Sequence, residues 1–222
     1  MGTAETHAPA RPAAVAEERI LVRDVDWATY QKLAEAIGDQ PILIAYNQGD
    51  LELMSPGPLH EDYKGQLRRL IEVVTEERGI PCKNLGSTRW EQPAALRGWE
   101  ADEYFYLTAE KIRAARSRTN DAADYPVPEL ASEIDLRPSQ LDRPGIYAAL
   151  GVPEVWRFDG EALWIDQLGA DGTYRAATES QLLPISPAEV ARWLRLEESD
   201  DDHEWARRFR AWFRGDEPPL RR

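Results

Sequence analysis

Three ionisable side chains alternate in Glu133-Ile134-Asp135-Leu136-Arg137, at the end of an apolar run carrying Leu130, Ala131 and Ile134. Residues two apart in a strand project from one face, so Glu133, Asp135 and Arg137 are expected to share one space. Two carboxylates held together repel unless a cation or a proton lies between them. That is the pattern of a divalent-metal site, and Asp102, at the start of an earlier strand, is the natural third member. Mg2+ takes hard oxygen ligands, often one or two carboxylates completed by water and phosphate. The same acids read equally as solvated strand ends. Arg137 and Arg143 suit the charge of a phosphoryl transition state, or ion pairs with Glu133, Asp135 or Asp142. His60, in the first turn of a helix, could orient a carboxylate, bind metal, act as a base or simply cap. No Cys/His set has zinc spacing, and the phosphate-binding glycine loops and the Gly-x-Ser-x-Gly elbow are missing.

The elements that must position these residues follow from periodicity. Trp27, Tyr30, Leu33, Ala34 and Ile37 recur at helical spacing between an Asp26 cap and a Gly38 stop. Residues 41–46 and 50–54 flank Asn47-Gln48-Gly49 as a hairpin, with Leu51 and Leu53 on one face and Glu52 on the other. A helix over 59–78 buries Leu59, Tyr63, Leu67, Leu70, Ile71 and Val74. Short β-like runs follow, then one strand over 99–107. Residues 108–127 read as a short helix and an exposed loop. After the strand over about 128–136, Ser139 is expected to cap a helix ending at Gly151. Strands over 153–159, 162–168 and 173–176 come next, then a helix opened by Ser186-Pro187. The last helix carries Trp205, Phe209, Trp212 and Phe213, as internal packing or as a dimer surface.

The 222 residues carry a net charge of −13, which argues against broad phosphate-driven nucleic-acid binding. The single Cys82 forms no internal disulfide and reads as a small buried apolar residue. Neither a secretory signal nor an apolar run of the roughly 20 residues needed to span a bilayer is present. These features imply a cytoplasmic protein. The expected organisation is a disordered tail over 1–18, one α/β domain over 19–197, and an acidic linker with an amphipathic helix over 198–222.

Four stretches resemble one family. Glu52-Leu53-Met54-Ser55-Pro56, with His60 four positions on, resembles the opening motif of the Uma-two family, bacterial proteins of the PD-(D/E)xK nuclease superfamily. Glu100-Ala101-Asp102-Glu103 resembles its "PD" position and Glu133-Ile134-Asp135 its "E-x-K" position. The run from Ile146 to Trp156 resembles its closing helix and strand. The resemblance spans roughly residues 40–170. It implies a restriction-endonuclease-like core, with a mixed β-sheet flanked by helices. It also implies a Mg2+- or Mn2+-dependent endonuclease acting on DNA, expected as a homodimer. Asp102 and Glu133 would bind the metal with the Ile134 carbonyl, and Glu52 and His60 would line the pocket. Two departures stand out. Ala101 replaces the motif's Pro, and Asp135 occupies its Lys position. A Lys can instead come from the following helix, at the position held here by Arg143. Arginine does not act as a neutral base, so the site would depend on metal-bound water, on Arg143 as an electrostatic clamp, or on Lys64 or Lys83. The alternative is a catalytically degenerate nuclease-fold binding module.

Overall fold

The computed structural model describes residues 17–115, 125–195 and 201–216. Residues 1–16 of the expected tail, residues 116–124 of the expected loop, residues 196–200, which hold most of the acidic block, and residues 217–222 lie outside the described residues. The described elements are Glu18–Val22 (β1), Trp27–Ile37 (α1), Leu43–Asn47 (β2), Asp50–Ser55 (β3), Pro58–Arg78 (α2), Lys83–Asn84 (β4) and Arg89–Gln92 (β5). A single 3-10 turn at Pro93–Ala95 precedes Arg97–Glu100 (β6), Glu103–Tyr106 (β7), Ala109–Ala114 (α3), Leu130–Ile134 (β8) and Arg143–Leu150 (α4). The chain continues through Glu154–Phe158 (β9), Leu163–Leu168 (β10), Tyr174–Ala177 (β11), Pro187–Leu194 (α5) and Asp202–Arg214 (α6).

The fold is α/β with helices flanking the strands, as expected, and the strands form two sheets. The first has the order β1-β3-β2-β6-β5 and is antiparallel throughout. The second has the order β11-β10-β9-β8-β7-β4, with β8 and β9 parallel. Parallel neighbours need a long crossover, and α4 lies within it. The strand expected over 99–107 is divided: β6 belongs to the first sheet and β7 to the second, and the chain changes sheet at Ala101-Asp102.

Strand alternation explains the layers. In the first sheet Ile44, Tyr46, Leu51 and Leu53 pack with Tyr30 and Ala34 of α1, while Ala45, Trp90 and Trp99 turn the other way, toward α4. In the second sheet Leu130, Ile134, Trp156, Phe158, Leu163 and Ile165 pack with α2, α5 and α6. Tyr104, Ala131 and Val155 turn toward Ile146 and Tyr147 of α4. Helix α4 therefore packs on both sheets.

Several local signals act as the sequence implies. Asp26 caps α1 through the Thr29 N–H at 2.7 Å, and Ser186 and Glu189 form a reciprocal capping box at α5. Ser139 does not cap α4; Asp142 does, accepting from the Gly145 N–H. Glu17 and Glu18, expected in the tail, belong to the fold: Glu17 is buried and Glu18 opens β1 against β3. Helix α6 covers its own chain. Trp205 and Phe209 are buried against Trp193, and Arg214 pairs with Glu77 of α2 at 2.6 Å. No helix among the described residues is long and apolar enough to cross a membrane.

Phe209 is fully buried between α5 and α6. Its replacement in Phe209→Ala removes a large aromatic from a packed site and is expected to lower stability by about 3–5 kcal/mol. Urea unfolding measures this, and a loss below about 1 kcal/mol would show that α6 is outside the cooperative core.

Candidate functional site

Strand parity sends Ala131 and Glu133 of β8 toward α4, and Asp135 continues on that side. Glu133 is 2% exposed. Its Oε1 accepts hydrogen bonds from Trp99 Nε1 at 2.6 Å and from the Tyr147 hydroxyl. Its Oε2 lies 2.8 Å from Arg143 Nη2 in an ion pair off the hydrogen-bond line. Arg143 Nη1 donates to Asp135 Oδ1. The two acids thus share one guanidinium. Arg143 opens α4 and Tyr147 lies one turn on, so both project from the same helix face. The Arg143 guanidinium also sits 4.6 Å over the Trp99 ring. Burial alone would weaken its positive charge, but Glu133 and Asp135 hold it firmly protonated. Arg137 does not join them: β8 ends at Ile134, and Arg137 is exposed.

Asp102 occupies the switch between the sheets and is 1% exposed. Its Oδ2 accepts from the Ile134 N–H at 2.7 Å, which ties it to the residue beside Glu133. Its Oδ1 lies 2.8 Å from His60 Nε2, and His60 Nδ1 lies 3.1 Å from Glu17 Oε2. A ring between two carboxylates is best satisfied when both nitrogens donate. Burial would depress the His60 pKa, but the bonds to Asp102 and Glu17 outweigh it and raise the pKa to about 9. Burial pushes Glu17 up, and the His60 and Arg19 contacts bring it below its ordinary value. Glu133 is raised, first by burial and then by Asp102 and Asp135, with Arg143 opposing.

Glu52 lies on the β3 face opposite Leu51 and Leu53, as the hairpin pattern predicts. Its Oε1 accepts from Arg19 Nη1 and Ser139 Oγ, both at 2.8 Å, and its Oε2 accepts from the Gln140 N–H at 3.1 Å. Arg19 also donates to Glu17 at 2.6 Å and to Asp135 at 3.3 Å. Glu17, Arg19, Trp99, Tyr147 and Ser139 were not among the expected site residues. Lys64 instead pairs with Glu61, and Lys83 donates to the Ala115 carbonyl.

The cluster thus gathers the carboxylates of Glu17, Glu52, Asp102, Glu133 and Asp135 around Arg19, Arg143 and His60. Hard carboxylate oxygens are the right donors for Mg2+ or Mn2+. Their lone pairs, however, are committed to His60, Ile134 N–H, Trp99, Tyr147 and the two arginines. Among the described residues no group of three or more His, Cys, Asp or Glu is placed to hold a metal ion. As placed, the residues do not fit the metal. The cluster meets open space where Asp135 and Arg143 line a cavity of about 440 Å3.

A family model, Uma2, with the description "Putative restriction endonuclease", matches residues 27–197. The match runs from α1 through α5 and contains Glu52, His60, Asp102, Glu133, Asp135 and Arg143. β1, with Arg19, and α6 lie outside it. No curated protein matches the chain.

Two outcomes test this electrostatic description. The His60 ring should stay doubly protonated through neutral pH and titrate near 9 in histidine ring NMR; a midpoint near 6.5 would refute the Glu17–His60–Asp102 bridge. Because the folded pKa exceeds the unfolded one, His60 stabilisation is complete below about 6.5 and is lost as pH rises through about 9. Arg143→Met leaves Glu133 and Asp135 adjacent without their shared cation. It should cost about 3–5 kcal/mol at neutral pH in urea unfolding, and less where the acids are protonated.

Proposed function

This chain belongs to the Uma2 family, and from that premise we propose an endonuclease that hydrolyses nucleic-acid phosphodiester bonds, DNA foremost, at the Asp102–Glu133 cluster. The observation that carries this reading is the junction itself. An acid from the β6–β7 switch is bonded to the backbone beside an acid at the end of β8, inside the family-matched segment. The α/β architecture agrees with a restriction-endonuclease-like fold, and the family supports nuclease-like action on nucleic acid.

Roles for the chain's own residues follow from their surroundings. Arg143 is permanently charged and sits at the cavity edge, so it would offset negative charge gained by the phosphoryl oxygens during attack. Glu133, whose proton affinity burial raises, is suited to accept a proton from the attacking water. His60 already holds its proton at neutral pH, so it acts as a donor that positions Asp102 and not as the base. Glu52 anchors the loop after β8 through Ser139 and Gln140. Asp135 holds Arg143 in place. Restriction-endonuclease-like families generally use a divalent metal, and Mg2+ or Mn2+ belongs to this proposal with Asp102, Glu133 and the Ile134 carbonyl as ligands. As placed, these carboxylates are committed to His60, Trp99, Tyr147 and the Ile134 N–H, and they would hold the ion only after releasing such partners. Cytoplasmic location and a homodimeric state are part of the same proposal.

The ion pairs of Arg143 favour a second reading, a nuclease-fold module that binds nucleic acid without cutting it. The two are separated by calorimetric Mn2+ titration of wild type and Glu133→Ala, together with plasmid nicking. The endonuclease should bind Mn2+ and nick, and Glu133→Ala should lose both. Wild type without metal binding would sink the metal-dependent nuclease, and metal binding without nicking would favour the binding module.

A further inference from the structure

The cavity of about 440 Å3 beside the cluster has the size of a small-ligand site. It lies between α4 and one face of β9, β10 and β11. Trp164 and Asp166 alternate on that face of β10, and Trp164 pairs directly with Arg157 of β9. Trp164 is 43% exposed, whereas its strand neighbours Leu163 and Ile165 are buried. Tyr174 of β11 lines the same wall, its hydroxyl spent on the Val152 carbonyl. Among the described residues, the cavity therefore presents aromatic surface on Trp164 that is left partly open.

Its charges narrow the occupant. Asp135, Asp159 and Asp166 line it against Arg143 and Arg157, and Arg157 is already tied to Asp166 at 2.7 Å. A bare phosphate would meet an excess of acids. A flat ring with N–H donors would meet aromatic surface and acceptors together. At the inner end Arg143, 5% exposed, has an Nε with no hydrogen-bond partner among the described residues. A ring stacked on Trp164 and joined to one phosphate near Arg143 satisfies both ends, and that molecule is a nucleotide. The net charge of −13 points the same way: it weakens binding driven by phosphate neutralisation, so affinity must come from the base. A base within an intact duplex is stacked and paired, and does not enter a cavity of this kind unless it is extruded.

We propose that this cavity receives one unpaired nucleobase, stacked on Trp164, and so directs the protein to single-stranded or locally unpaired nucleic acid. The proposal rests on the nuclease-family reading of the adjoining cluster. Fluorescence anisotropy with a labelled single-stranded DNA of about 12 nucleotides and its duplex tests it, using wild type, Trp164→Ala and Trp164→Phe. Single strand should bind at least about tenfold tighter than duplex. Trp164→Ala should weaken it about tenfold or more while Trp164→Phe retains most of the affinity, and its dependence on salt should be shallow. Unchanged urea midpoints establish that the variants are folded. Duplex binding as tight as single strand, no single-strand binding, or unchanged binding by Trp164→Ala would overturn the proposal. Plasmid nicking and Mn2+ titration of the same proteins keep the two ideas apart. Nicking with no effect of Trp164→Ala removes the base site alone, whereas Trp164-dependent binding without metal or nicking removes the nuclease and leaves the base site standing.

Discussion

Buried charge must be neutralised, and that constraint organises this molecule. Glu17, Glu52, Asp102 and Glu133 are each almost fully buried at the meeting of two sheets. An unpaired carboxylate there would be very costly. Every nearby element is accordingly arranged to deliver a donor. Helix α4 begins at Arg143, so that a guanidinium and, one turn later, a phenol reach Glu133. The loop after β8 folds back to give Glu52 the Ser139 hydroxyl and the Gln140 N–H. The chain changes sheets at Asp102, whose carboxylate is held by an N–H of β8 and by the first turn of α2. Apolar packing makes the layers stable, but these polar contacts fix how the layers meet.

The elements legible in the sequence are those whose signals are local. The α1 cap, the β2–β3 turn and the helix start at Ser186-Pro187 were each visible within a few residues. The β6–β7 division was not, because Trp99 to Leu107 is apolar enough to read as one strand. What separates them is the bond from Asp102 to Ile134, 32 residues away in sequence. In the same way, the pairing of Glu133 with Asp135 followed from strand parity, while Arg19 did not suggest itself. Its contact with Asp135 spans 116 residues. Arg137 failed for a simpler reason: alternation holds only while the strand lasts, and β8 stops at Ile134.

On the resemblance, Asp135 stands where the motif has a lysine, and its surroundings differ from what a lysine there would meet. The positive charge is supplied from α4 instead of from β8, by a residue that binds both Glu133 and Asp135. A guanidinium serves the electrostatic purpose of a lysine but does not give up its proton at neutral pH. Proton transfer, on the nuclease reading, therefore falls to the carboxyls, of which Glu133 is the one whose affinity for a proton is raised by burial.

The cluster is also closed and open on different sides, which bears on how anything reaches it. β1 lies outside the family-matched segment, yet its Arg19, with Glu17 just before it, covers His60 and Glu52. The exclusion of water there strengthens each charged contact, since the effective dielectric falls with burial. Asp135 is the more exposed acid, and it faces the cavity together with Arg143. On the nuclease reading, a substrate entering there meets Asp135 and Arg143, with Glu133 and Asp102 behind them and off the cavity wall. On that same reading, binding at Arg143 would have to loosen its ion pair with Glu133 before that carboxyl is free to act.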